Sequence, residues 1–262
     1  MKLGVDIGGT NITVALVGKE QILKKVKFPT PKGEKKIIQK VAETVQKIRM
    51  EREKKVQNFL GVGVPGDIDH ERGVVRFSPN LFWKDVPLAR ELEKRLQFKV
   101  ILDNDANATA WGAYLVEEKR KISNMICITL GTGVGGGLII NGHPYRGSCG
   151  SAGEIGHITV LPDGPKCNCG SRGCLESLVG SLALKNRAEK LIQQGKGKII
   201  TELLRKSRDG IMTPLLLRRA AELGDSDARS LWHETGTYLG IAVAGLINVL
   251  NPEVIMFAGG VA

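Results

Sequence analysis

Apolar positions recur along this chain with two different periods, and the change from one to the other marks its elements. Three short apolar runs come first: Leu3-Gly-Val-Asp6, Ile12-Thr-Val-Ala-Leu-Val17 and Ile22-Leu-Lys-Lys-Val-Lys-Phe28, divided by Gly8-Gly9 and Gly18-Lys19. Runs of that length between glycine turns predict three consecutive strands in an antiparallel meander. From Glu34 to Lys54 the period lengthens, and Ile37, Ile38, Val41, Val45 and Ile48 fall on one side of a predicted helix. Phe59–Val64 reads as a buried strand stopped by Pro65-Gly66, whereas residues 67–86 follow neither period and are expected to be irregular. A helix over 87–97, a strand over 100–102 and a helix over 106–116 come next. Strands 124–130 and 135–140 then flank Gly131-Thr-Gly133. The remainder predicts helices at 175–193, 201–206, 214–223 and 225–250, then a strand over Val254–Ala258.

The strand, glycine turn and strand near residue 8 occur again near residue 133. A duplicated unit of this kind, followed each time by helices and a further strand, predicts an α/β protein of two similar halves facing a cleft. The expected division is residues 1–106 and 107–262. A chain of 262 residues is long enough to bury such a core.

Charge narrows the partners. The net charge is +11, but residues 19–55 alone carry thirteen Lys/Arg against five Glu, so eight of the eleven excess charges lie in one strand–helix stretch. That reads as a solvated face, and nucleic acid is not an expected partner. No apolar run approaches the roughly 18 residues of a membrane span. The start, Met1-Lys-Leu-Gly-Val-Asp6, lacks a signal-peptide layout, so a cytoplasmic protein is expected.

Candidate chemistry concentrates between Asp103 and Glu176. Asp6-Ile-Gly-Gly-Thr10 and Gly131-Thr-Gly133 are candidate phosphate loops, because glycine lets backbone amides approach an anion and the threonines add hydroxyls. Gly131-Thr-Gly-Val-Gly-Gly136 also matches a dinucleotide fingerprint, which needs a helix next. The strand expected at 135–140 excludes that reading. Asp105, in a carboxylate pair with Asp103 just past a strand end, is the candidate general base, with capping of the next helix as its alternative role. Cys167, Cys169 and Cys174 with His157 form a complete tetrahedral Zn²⁺ donor set, closed and therefore structural. Glu154 and Glu176 flank it, and with Asn80 and Asn104 they suit bidentate hydrogen bonding to a polyhydroxylated substrate.

Glu154-Ile-Gly-His157 and Cys167-x-Cys-Gly-x-x-Gly-Cys174 identify the resemblance: the chain is similar to the ROK family (repressors, open reading frames and kinases) over essentially its whole length. The resemblance implies the actin-like ATPase fold of two RNase-H-like halves. It implies ATP-dependent phosphorylation of a hexose at its 6-hydroxyl, with glucose the preferred substrate. N-acetylhexosamine, mannose, allose and fructose, and polyphosphate as donor, remain alternatives. By the matching motifs Asp105 is the base. Gly66, Asn80, Asn104, Glu154, His157 and Glu176 hold the sugar. Asp6, Gly8, Gly9, Thr10, Asn11, Gly131, Thr132 and Gly133 surround Mg²⁺ and the phosphates. Gly259 and Gly260 begin the adenine pocket, and His157 contacts zinc through one ring nitrogen and sugar through the other. A homodimer or homotetramer is expected. The repressors of the family need a helix-turn-helix ahead of the first glycine loop, for which Asp6 leaves no room. Two departures stand out. The chain stops at Ala262 where the family continues, so a truncated sugar-binding protein without turnover is a second reading. Val116-Glu-Glu-Lys-Arg-Lys121 stands in place of a glycine-rich link.

Overall fold

The computed structural model describes every residue except 20, 52–55, 119–120 and 208. The chain forms two compact units, Met1–Lys121 with Gly137–Gly153 and Ile122–Gly136 with Glu154–Ala262.

In the first unit the expected meander is present as β1 (Lys2–Ile7), β2 (Asn11–Val17) and β3 (Ile22–Pro29). β1 and β2 pair antiparallel with Leu3 opposite Leu16, Val5 opposite Val14 and Ile7 opposite Ile12. All six of these side chains are buried, because a period of two sends alternate residues to one face. β4 (Phe59–Val64) and β8 (Lys99–Asn104) extend the sheet in the order β3-β2-β1-β4-β8, both parallel to β1. Parallel registers align Asp6 with Gly63 and Gly63 with Asp103, so three C-terminal strand ends lie along one edge. Helix α1 (Glu34–Met50) buries Ile37, Ile38, Val41, Val45 and Ile48, the face that the 3.6 period predicts. Most of its predicted extension to Lys54 falls outside the described residues. Helices α2 (Leu88–Leu96) and α3 (Asp105–Val116) follow their predicted positions.

Residues 67–86 depart from expectation. They form a three-stranded antiparallel sheet of β5 (Asp67–Asp69), β6 (Val74–Ser78) and β7 (Trp83–Val86). The strands are too short for alternation to register, and Phe82 and Asp85, with φ of 57° and 52°, interrupt it.

β9 (Met125–Leu130) belongs to the second unit and pairs parallel with β12 (Val254–Ala258). β10 (Val134–Ile140) begins there, and its last residues pair with β11 (His143–Tyr145) across Asn141-Gly142. The helix predicted over 175–193 is two helices, α4 (Glu176–Val179) and α5 (Ser181–Gln193). Gly180 breaks it because the chain turns extended there, pressed close to the Glu176 and Thr132 carbonyls. α6 (Lys198–Lys206), α7 (Pro214–Glu222) and α8 (Ser226–Leu250) complete the unit around Leu184, Ala188, Ile200, Leu217, Ala220 and Leu231. The buried Asp225 ties α6 to α8. Its carboxylate accepts the Ala228 amide at 3.0 Å as the cap of α8, and the amides of Ile199 and Ile200 at 2.9 and 3.2 Å. No helix among the described residues is long and apolar enough to cross a membrane.

Candidate active site

Strand ends organise the candidate residues of the first unit. β1 ends beside Asp6, β4 runs into Gly66, and β8 ends at Asn104 with Asp105 as the first residue of α3. Asn104, not Asp105, caps α3: its Oδ1 accepts the amides of Ala106 at 2.8 Å and Asn107 at 3.3 Å. That removes the capping alternative for Asp105 and engages the Asn104 side chain twice, since Nδ2 donates to the Gly66 carbonyl at 3.1 Å. Asp105 takes the Ala106 amide at 2.9 Å. Burial raises its pKa above the ordinary aspartate value, the Ala106 amide opposes that, and the neighbouring Asp6 carboxylate adds to it. Asp6 is raised as well, by desolvation, against the pull of Lys25 and Lys27.

The first glycine turn is held from beneath. Gly8 donates to the Asn11 carbonyl at 2.9 Å, and Thr30 closes the turn by donating Oγ1 to Gly8 O at 2.6 Å and its amide to Thr10 O at 2.9 Å. Asn80 stands against Gly9, where an added Cβ would lie 3.3 Å from the asparagine Cβ. Gly66 has φ +122°, and a Cβ there would sit 2.2 Å from Phe77 O. Gly66→Ala is therefore expected to lower unfolding free energy by roughly 2–4 kcal/mol, measured by denaturant titration; an unchanged midpoint would show that the turn can relax.

The second unit carries the other glycine turns at the ends of its parallel strands. Gly131-Thr132-Gly133 follows β9, closed by Gly131 N–H to Gly133 O at 3.0 Å. Gly259-Gly260 follows β12, and Val261 donates to Leu130 O at 3.1 Å. Glu176 reaches the first of these turns, its Oε2 accepting the Val134 amide at 3.0 Å. A Cβ on Gly133 would fall 2.0 Å from that same oxygen.

His157, Cys167, Cys169 and Cys174 come together as the spacing predicts, all four donor atoms lying within 4.8 Å of one another. Cys167 Sγ is 3.7 Å from His157 Nδ1, and Cys169 Sγ is 3.6 Å from Cys174 Sγ. A tetrahedron with Zn–S of about 2.3 Å and Zn–N of about 2.0–2.1 Å has edges of about 3.6–3.8 Å. Donor types and spacing therefore both fit a zinc ion. Backbone bonds shape the loop: Cys167 N–H to Ser171 O at 2.8 Å, Gly170 N–H to Cys167 O at 3.0 Å and Gly173 N–H to Pro165 O at 2.8 Å. Nδ1 of His157 faces the sulfurs while Nε2 lies 3.9 Å from Glu154 Oε2. The two ring nitrogens are thus divided between the cysteine cluster and the Glu154 side.

Sequence reasoning missed the ionic framework of the first unit. Arg146 pairs with Asp103, its Nη2 2.5 Å from Oδ2. Arg76 pairs with Asp67, Nε to Oδ2 at 2.8 Å and Nη2 to Oδ1 at 2.6 Å, which lowers the Asp67 pKa. Ser151 adds a bond to Asp67 at 2.9 Å. The partners of these two arginines stand 43 and 9 residues away, with no periodic signal between them.

The sheet order β3-β2-β1-β4-β8, an antiparallel meander continued by two parallel strands, agrees with the actin-like ATPase fold of ROK sugar kinases. The structure is similar to a ROK family glucokinase from Streptomyces griseus in complex with glucose and AMPPNP, at 37% identity and a TM-score of 0.84, covering 99% of this chain and 83% of that one. It is also similar to a ROK hexokinase from Thermus thermophilus, at 34% identity and a TM-score of 0.82, over 99% and 81%. The chain belongs to the ROK family, which its sequence matches over residues 2–262. A glucokinase from Thermotoga maritima is 38% identical over 264 residues, 99% of this chain and 82% of that protein.

Proposed function

We propose that this protein is an ATP-dependent hexose kinase that phosphorylates glucose at its 6-hydroxyl. The observation that carries the reading is Asp105. It is a half-buried carboxylate at a parallel strand end, relieved of capping by Asn104 and raised in pKa by its surroundings. Such a group suits general base catalysis. Membership of the family and the similarity to glucokinases supply the substrate class.

In this mechanism the 6-hydroxyl oxygen attacks the γ-phosphorus of ATP, its proton passes to an Asp105 oxygen, and the bond to the β-phosphate oxygen breaks to release ADP. Phosphoryl transfer depends mainly on positioning and charge neutralisation. Asn80, Asn104, Gly66, Glu154, His157 and Glu176 are the sugar-holding residues of the proposal. Gly8, Gly9, Thr10, Asn11, Gly131, Thr132, Gly133, Gly259 and Gly260 are its nucleotide-holding residues. Asp6 is the residue that would hold Mg²⁺ beside the phosphates. His157, Cys167, Cys169 and Cys174 would hold a structural Zn²⁺, and the loop they close carries Glu154 and leads into Glu176. We place the enzyme in the cytoplasm as a homodimer or homotetramer.

The test is ADP release from ATP with glucose, mannose, fructose, allose and N-acetylhexosamines, each repeated with polyphosphate as donor. Turnover with ATP is expected to be fastest on glucose. Absence of sugar-dependent ADP release across the panel, with the protein folded and zinc-loaded, would overturn the reading.

A further inference from the structure

We infer that Arg146 is a positioning residue for the base, holding through Asp103 the β8–α3 junction that carries Asp105. The inference rests on the reading of Asp105 as the base. Arg146 follows β11 and reaches Asp103 with two nitrogens, Nε at 3.3 and 3.2 Å from the two carboxylate oxygens and Nη2 at 2.5 Å from Oδ2. The side chains are only 24% and 16% exposed, so this is a sheltered, forked pair rather than a surface contact.

Asp103 spends its remaining acceptor capacity on the junction itself. Oδ1 accepts the Asn104 amide at 3.0 Å and Asn107 Nδ2 at 3.3 Å, binding the last residue of β8 to the first turn of α3. His70 also lies nearby, its Nδ1 4.0 Å from Asp103 Oδ2 and bonded to Leu102 O at 2.6 Å. Asp105 sits between Asn104 and Asn107 on this tied segment. Arg146 directs its hydrogen bonds to Asp103, so its influence on Asp105 passes through that carboxylate and the junction it ties. Without Arg146, the Asp103 carboxylate lies partly buried with neutral donors and a distant imidazole, and it turns toward water. The tie to Asn107 then slackens, and the base loses its alignment.

Arg146→Gln should lower kcat by roughly 10–100-fold with the glucose KM within about twofold of wild type, since a displacement near 1 Å is worth about that much. Arg146→Lys keeps the charge but loses the fork, and should recover part of the lost kcat. Amide hydrogen exchange supplies a readout that needs no turnover: Ala106 and Asn107, the amides bound by the Asn104 cap, should exchange faster in Arg146→Gln. Wild-type kcat in Arg146→Gln overturns the inference. So does a loss of activity that follows the unfolded fraction while these two amides exchange at the wild-type rate. If the wild-type protein turns over no sugar, the kinase reading fails by itself, and exchange at the two amides then decides whether the clamp holds the junction.

Discussion

Asp105→Asn is expected to reduce turnover by roughly 10²–10⁴, the range for loss of a general acid–base residue, while sugar binding by calorimetry is largely kept. The same substitution should stabilise the fold at neutral pH, and the sign follows from linkage. The folded-state pKa of Asp105 is raised above its ordinary 3.8. Its stabilising proton is fully held below the unfolded pKa and lost as pH climbs through the folded value, so above that value the protein carries a disfavoured, half-buried carboxylate. Asparagine carries no such charge. The gain in melting temperature should therefore be present at pH 7 and fade near pH 3, where Asp105 is protonated in the wild type as well. On the same grounds the acid limb of the kcat/KM profile should lie above 3.8. A variant that is slow but no more stable at pH 7 would show that burial does not set the state of this carboxylate. A variant with wild-type turnover would remove it from the chemistry.

The second large effect belongs to the zinc cluster. Cys169→Ser should take the zinc content from about one ion per chain to near zero and lower glucose affinity, because the same loop carries His157 and Glu154. Cys169 is the exposed sulfur of the set, so its replacement removes a donor without opening the core, whereas Cys167 and Cys174 are buried. Loss of a structural metal is among the few single changes worth roughly 4 kcal/mol or more, about 8–16 °C in melting temperature for a chain this long. Chelation of the wild-type protein should reproduce the shift and zinc should reverse it. Full activity and an unmoved melting curve in demonstrably metal-free protein would refute a structural zinc.

The cysteine cluster and Asp105 differ in how far the sequence alone reveals them. The cluster could be read from spacing alone, since four donors within eighteen residues can meet by local folding around Gly170 and Gly173. Asp105 was legible as a candidate but not as the winner over capping, because an aspartate ahead of Ala106-Asn-Ala-Thr-Ala110 suits either role. Only the hydrogen bonds to Ala106 and Asn107 assign that role. Glu176 was placed among sugar-holding residues from sequence, yet its contact with the Val134 amide follows from the packing of α4 beneath a glycine turn. The 67–86 region failed for a different reason. Strands of three to five residues with polar members carry too few positions for a period to emerge, and cross-strand pairing supplies the order that composition lacks.

By itself, then, the sequence determined what depends on neighbours along the chain: the period-two strands β1 and β2, the buried strand β4, the apolar face of α1, the glycine turns after β1 and β9, and the cysteine knot. Tertiary structure alone decided what depends on residues far apart: the parallel registers that align Asp6, Gly63 and Asp103, and the arginine forks of Arg146 and Arg76. It also decided the burial that shifts Asp105. The reason is physical. Side-chain periodicity reports which face an element buries, whereas a charge's partner and its solvation are properties of the assembled fold.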